Sequence, residues 1–139
     1  MSLLEIKDLV ASYGTGNVLN GVDLNVEQGE LVGVVGPNGH GKTTLLRAIS
    51  GLMPRAKGSV TLNGQALKGV APEKIAQAGL VHVPQGDLVY KGMTILENLL
   101  VGGYANRSEA RSQEQLERVY DLFPKLKERS DQIASSLSG

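Results

Sequence analysis

The sequence has no cysteine and no tryptophan, and its aromatic side chains are four tyrosines and one phenylalanine. Without cysteine, disulfides, thiolate metal sites and cysteine nucleophiles are excluded. The two histidines, His40 and His82, have no second ligand beside them to suggest a metal site. Long apolar runs are missing as well. The longest are short stretches such as Leu31-Val32 and Val34-Val35 around Gly33. These fall far short of the ~18–20 residues needed to cross a bilayer. Met1 to Val10 alternates in polarity and does not form the apolar core of a signal peptide, so the expected compartment is the cytosol. There is no excess charge of either sign, with 14 basic and 14 acidic side chains. That balance argues against non-specific nucleic-acid binding, which needs a basic surface.

The length, 139 residues, suits one domain. Apolar residues make up 41% of the chain, enough for a core and too many for wholesale disorder. Glycine is plentiful, at 18 of 139 residues, which fits several tight loops. Leu3 to Val10 reads as a partly alternating strand, Tyr13-Gly14-Thr15-Gly16 as a turn, and Val18 to Val26 as a second strand. Leu31-Val32-Gly33-Val34-Val35 and Leu80-Val81-His82-Val83-Pro84 suit strands buried on both faces, as in a parallel sheet. Lys42 to Ser50 has helical spacing with Gly51 as a stop, and Pro72 to Gln77 opens with proline in a first turn. Gly58 to Leu62 followed by Asn63-Gly64 reads as a strand entering a hairpin. Thr94 and Glu97 form a capping-box pattern, and Ser108 to Phe123 reads as an amphipathic helix with Leu116, Val119, Tyr120 and Phe123 on one face. Strands dominate to about Pro84 and helices follow. This gives an α/β class, with a core over 1–85 and a helical subdomain over 86–139.

Residues 36–43, Gly36-Pro37-Asn38-Gly39-His40-Gly41-Lys42-Thr43, fit the pattern G-x-x-x-x-G-K-[ST]. Composition alone produces such a match in about one chain of this size in a few hundred. Here it also lies between an apolar run and a helix start, the context the pattern requires. Glycines let the loop wrap a phosphate, its backbone N–H groups form an anion nest, and the helix that follows adds its positive end. Lys42 is placed to reach the β- and γ-phosphates, and Thr43 is the expected hydroxyl ligand of Mg²⁺. The loop by itself points to nucleoside triphosphate binding and does not separate kinases, GTPases, helicases and transport ATPases.

With further segments included, the chain resembles the ATP-binding cassette family, above all the ATPase subunits of branched-chain amino acid importers. The matching stretches are residues 36–44 (through Thr44), Val83-Pro84-Gln85-Gly86, Met93 to Leu99, Leu122 to Arg129, and the terminal Leu137-Ser138-Gly139. The resemblance implies a P-loop core with a mixed sheet and a partial helical subdomain. It implies that Tyr13 stacks on adenine and that Gln85 contacts Mg²⁺ and the attacking water. It also implies that Ser138 and Gly139 face the γ-phosphate held by a second, head-to-tail subunit. His40 stands where the family usually has a small residue. The implied ligands are ATP and Mg²⁺. The implied partners are a second ATPase subunit and transmembrane permease subunits contacted around 86–104, with no nucleic acid, on the inner face of the cell membrane.

The resemblance further implies elements for which no residue here stands: the rest of the signature, a strand ending in Asp then Glu, and a switch histidine. The expectation is therefore an ATPase as a full-length parent, with little or no hydrolysis by these 139 residues and an unpaired apolar edge near Val32–Val35. The rival readings are a non-catalytic ATP-binding module, a P-loop small-molecule kinase and, more remotely, a DNA-repair cassette protein.

Overall fold

A computed structural model describes residues 2–14, 16–86, 88–104 and 108–136. The chain divides into two compact units, Met1–His82 and Val83–Gly139.

The first unit is built on a four-stranded antiparallel sheet in the order β2-β1-β3-β4. Strand β1 is Ser2–Ser12, β2 Asn17–Glu27, β3 Lys57–Leu62 and β4 Gln65–Ala66. Strand β1 starts with ordinary alternation and then changes phase. Ile6 is buried, Lys7 and Asp8 are both exposed, and Leu9 and Ala11 are buried. Asp8 sits at φ 50°, and its N–H donates to the Asp23 carboxylate at 2.7 Å. The register with both neighbours slips at this bulge. The extra residue explains why the strand looks only partly alternating in sequence.

Gly58 lies opposite the bulge at φ 99°, where an added Cβ would stand 2.5 Å from the Asp8 carbonyl oxygen and 2.6 Å from that of Lys7. Gly58→Ala is therefore expected to cost about 2–4 kcal/mol, since both backbone angle and space are denied. Denaturant unfolding checks it; a loss below about 0.5 kcal/mol would show that the bulge is free to relax.

The β3–β4 hairpin turns through Asn63 and Gly64 at φ 49° and 76°, as a type I′ turn requires. Two helices complete the unit, α1 at Lys42–Ile49 and α2 at Pro72–Gln77 with its proline in the first turn. Helix α1 puts Leu45, Ala48 and Ile49 into a cluster with Ile6, Leu9, Ala11 and Leu19 of the sheet. Ile75 of α2 packs with Leu62 and Leu67. Full burial of Ile6, Leu9 and Ile75 contributes roughly 2–3 kcal/mol each.

The strands expected at 31–35 and 80–84 are not formed, and the sheet is antiparallel throughout rather than mixed. Leu31, Val35, Val81 and Val83 are 98%, 93%, 71% and 84% exposed. A parallel strand of this composition is held by neighbours on its edges and layers on its faces. Among the described residues no strand lies beside either run.

The second unit contains α3 (Ile95–Gly102), α4 (Glu109–Leu122), α5 (Pro124–Glu128) and a 3₁₀ turn at Ala134–Ser136. The Thr94–Glu97 capping box is formed, and the Ser108 hydroxyl accepts from Arg111 N–H at the start of α4. Of the apolar face expected on α4, Tyr120 is buried but Phe123 is 59% exposed. Phe123 falls at the break before α5, where Pro124 restarts the chain in a new direction. The first N–H groups of α3 donate to returning carbonyls, Ile95 to Gln132 at 3.0 Å and Leu96 to Ser130 at 2.9 Å. This ties 130–134 to the helix start.

Candidate functional site

The helix starts of this chain are not alike. Helices α3 and α4 begin with Thr94 and Ser108, whose hydroxyls cap backbone N–H groups. Helix α1 begins on Gly41 in the left-handed region, at φ 87°, with no side-chain cap and no acidic residue in its first turn. An uncapped first turn presents backbone N–H donors and the positive end of the helix dipole, a combination that favours an anion. Gly41 is also where β2 closes on the loop. A Cβ there would lie 3.0 Å from Leu19 Cδ2 and 3.2 Å from Val18 Cγ1. Val18 and Leu19 thus form an apolar wall behind the loop that motif reading alone does not reveal.

Lys42, the first residue of α1, folds back over the loop. Its Nζ donates to the carbonyls of Gly36 at 2.6 Å and Pro37 at 2.7 Å. Those bonds hold the ammonium at the loop while leaving a third N–H for an incoming group. Thr43 is exposed and Thr44 is buried. The Thr44 hydroxyl donates to Tyr13 Oη at 3.4 Å, so the ring of Tyr13 is tethered to the start of α1 while the residue stays 62% exposed. His40, between Gly39 and Gly41, is exposed, with Nδ1 3.2 Å from the Asn38 carbonyl.

The structure therefore brings together Tyr13, Gly36, Asn38, Gly39, His40, Gly41, Lys42, Thr43 and Thr44 in the first unit. Gln85 belongs to the second unit, exposed and outside any strand. Ser138 and Gly139 lie outside the described residues. The second unit adds one residue that sequence reading passes over. Asn98 Oδ1 accepts from Tyr90 N–H at 2.7 Å, while its Nδ2 donates to the carbonyls of Tyr90 at 3.1 Å and Thr94 at 2.9 Å. That amide clamps the loop ahead of α3. Its only sequence signal is an amide placed one residue after the capping Glu97.

A glycine-rich loop running into an uncapped helix, with its lysine held at the mouth, on an α/β core, is the P-loop nucleotide-binding architecture. The family model described as ABC transporter matches residues 19–139. The high-affinity branched-chain amino acid transport ATP-binding protein BraG of Pseudomonas aeruginosa is 36% identical over 137 residues, 99% of this chain and 58% of that protein. The probable branched-chain amino acid transport ATP-binding protein LivF of Archaeoglobus fulgidus is 34% identical over the same shares. The ribose import ATP-binding protein RbsA of Oceanobacillus iheyensis is 33% identical over 123 residues, 87% of the chain and 25% of that protein. Among solved structures, the ADP conformation of an ATP-binding cassette of an ABC transporter superposes with a TM-score of 0.81 at 30% identity, over 100% of this chain and 60% of that one. The chain belongs to the ABC transporter family. It spans a little over half the length of the branched-chain relatives it matches.

No helix among the described residues is long and apolar enough to cross a membrane.

Proposed function

We propose that this chain is the ATP-binding part of an ABC importer subunit, with 1–85 as the nucleotide core and 86–139 as part of a helical subdomain. The observation that carries the reading is the loop at 36–44, with its uncapped helix start and Lys42 held at the mouth. In this reading the backbone N–H groups of Gly39 to Thr44 hold the phosphates of ATP, and Lys42 exchanges its carbonyl partners for the β- and γ-oxygens. Mg²⁺ would be held by the Thr43 hydroxyl and would supply charge neutralisation to the phosphates. That hydroxyl is a neutral oxygen donor on an exposed residue, which suits a hard cation that keeps part of its water shell.

ATP then draws two such subunits together head to tail. Closure is passed to permease subunits through residues 86–104 at the inner face of the membrane. In the parent protein the reaction is ATP hydrolysis. The resemblance to BraG and LivF, from a bacterium and an archaeon, favours a branched-chain amino acid as solute, whereas RbsA shows that relatives of other substrate names match too. Deleting the gene should abolish high-affinity leucine uptake, and restoring it with Lys42→Ala should not bring uptake back. Unchanged leucine uptake together with lost ribose uptake would overturn the solute while sparing the subunit's role.

Tyr13 is proposed to stack on the adenine from its tether on Thr44. Tyr13→Ala is expected to weaken ATP binding about fivefold to tenfold, the size of one aromatic contact, and to leave inorganic triphosphate binding unchanged. Titration calorimetry with both ligands decides it; equal losses would mean that Tyr13 supports the loop and not the base.

A further inference from the structure

The two apolar clusters of the first unit meet at Val60, which packs against both, but they do not close on one another. Between them lies a cleft of about 430 Å³, bounded by β1 and β3, the end of α1 and the start of α2. That size falls in the range of small-molecule sites. Its floor is apolar: Leu9, Ile49, Leu67 and Ile75 line it and are buried. Protein interiors are close-packed, so a gap of this size persists only where the backbone holds its walls apart. The chain leaving α1 is fixed by Leu52 N–H, which donates to the Arg47 carbonyl at 2.9 Å, and by Ala56 N–H, which donates to that of Met53 at 3.0 Å. On the far wall, Leu67 N–H donates to the Val60 carbonyl at 2.8 Å and Val70 N–H to that of Leu67 at 3.1 Å. Gly51 seats the end of α1 directly on α2, since a Cβ there would stand 2.7 Å from Ile75 Cδ1.

The charge at the rim has one sign. Lys57 and Lys68 line the cleft and are exposed, and among the described residues neither ammonium has a hydrogen-bond or ion-pair partner. Among the described residues no carboxylate lines the cleft. An apolar interior under two ammonium groups fits a molecule with an apolar tail and one anionic head. The tail gains by leaving water, and the head stays at the surface beside charges of opposite sign. A wholly apolar molecule would make no use of the lysines, and an inorganic anion would make no use of the floor.

We infer that this cleft is a binding site for a free medium-chain monocarboxylate, with its tail against Val60 and Ile75 and its carboxylate on Lys57 and Lys68. None of residues 36–44 lines the cleft, so the inference is independent of the nucleotide reading. Tail length sets most of the affinity, at about fourfold for each buried methylene. The two exposed lysines together contribute about tenfold, and salt should diminish that share.

The test is titration calorimetry of the full chain with hexanoate, octanoate and decanoate, each kept below micelle formation. Octanoate is expected to bind with a dissociation constant below about 1 mM. Affinity should rise about fourfold per methylene until the cleft is full. Octan-1-ol should bind about tenfold more weakly than octanoate, and octylamine more weakly again. Lys57→Gln with Lys68→Gln should lose about tenfold for octanoate and nothing for octanol. Both side chains are exposed, so a thermal melt should show the fold retained. Val70→Phe, which fills the cleft from its half-buried wall, should remove the dependence on chain length. No saturable octanoate binding up to about 10 mM overturns the inference, as does equal octanoate affinity in wild type and the double lysine variant. Octanol binding as tightly as octanoate overturns the anionic class of ligand. Binding that is lost with Val35→Lys and Val83→Lys, and kept with Val70→Phe, places the amphiphile on the open apolar runs and also overturns it. ATP binding is a separate readout: its failure strikes the nucleotide reading and leaves this inference standing.

Discussion

Replacing Lys42 by alanine is expected to lower affinity for ATP about 100-fold, or about 2.7 kcal/mol, with the fold unchanged. The Lys42 ammonium has two carbonyl acceptors, Gly36 O and Pro37 O. Both belong to exposed residues, so water replaces the ammonium when it is removed and stability should shift by less than about 1 kcal/mol. The phosphates have no such substitute, because a charge-assisted bond to a polyanion is lost and not exchanged. Calorimetry for affinity and a thermal melt for the fold give the two numbers. Equal ATP affinity in wild type and variant would remove the basis for the phosphate-loop assignment. A large drop in melting temperature would instead make Lys42 a structural residue.

The second large effect concerns the two apolar runs. The 139-residue chain, produced alone at tens of micromolar, is expected to self-associate and elute well above its 14.7 kDa mass. Leu31 and Val35 are almost wholly open to solvent and Val81 and Val83 largely so, and neither run has a strand beside it among the described residues. Unpaired apolar segments of high β-propensity are templates for pairing with another chain. Charged substitutions in the runs, Val35→Lys with Val83→Lys, should move the protein towards monomer without touching the phosphate loop. A monomeric wild-type chain with a cooperative melt above about 50 °C, well within the range of ordinary domains, would show that the runs are not the liability described.

The helices were legible because their signals are local: Gly51 ends α1, Pro72 opens α2, and Thr94 with Glu97 caps α3. The hairpin at Asn63-Gly64 was legible for the same reason. The runs at 31–35 and 80–84 are apolar, as their composition states, but they form no strands. Composition reports a preference for burial, whereas a strand also needs a neighbour, and neighbours are not encoded in the run itself. The phase change at Asp8 was invisible because it depends on Asp23 and Gly58, which are distant in sequence. In the site, residues 36–44 were legible as a spacing, and the uncapped start of α1 gives that spacing physical content. The tether of Tyr13 to Thr44, the Val18–Leu19 wall and the Asn98 clamp are contacts between elements, which no single motif carries.

A structure determined with Mg²⁺ and a non-hydrolysable ATP analogue tests the phosphate-loop assignment outright. The expected result is the β-phosphate enclosed by the backbone N–H groups between Gly39 and Thr44, the adenine against Tyr13, and Lys42 Nζ turned from Gly36 and Pro37 onto the β- and γ-oxygens. An empty loop at saturating nucleotide, with Lys42 still on its two carbonyls or the nucleotide bound elsewhere, would contradict it.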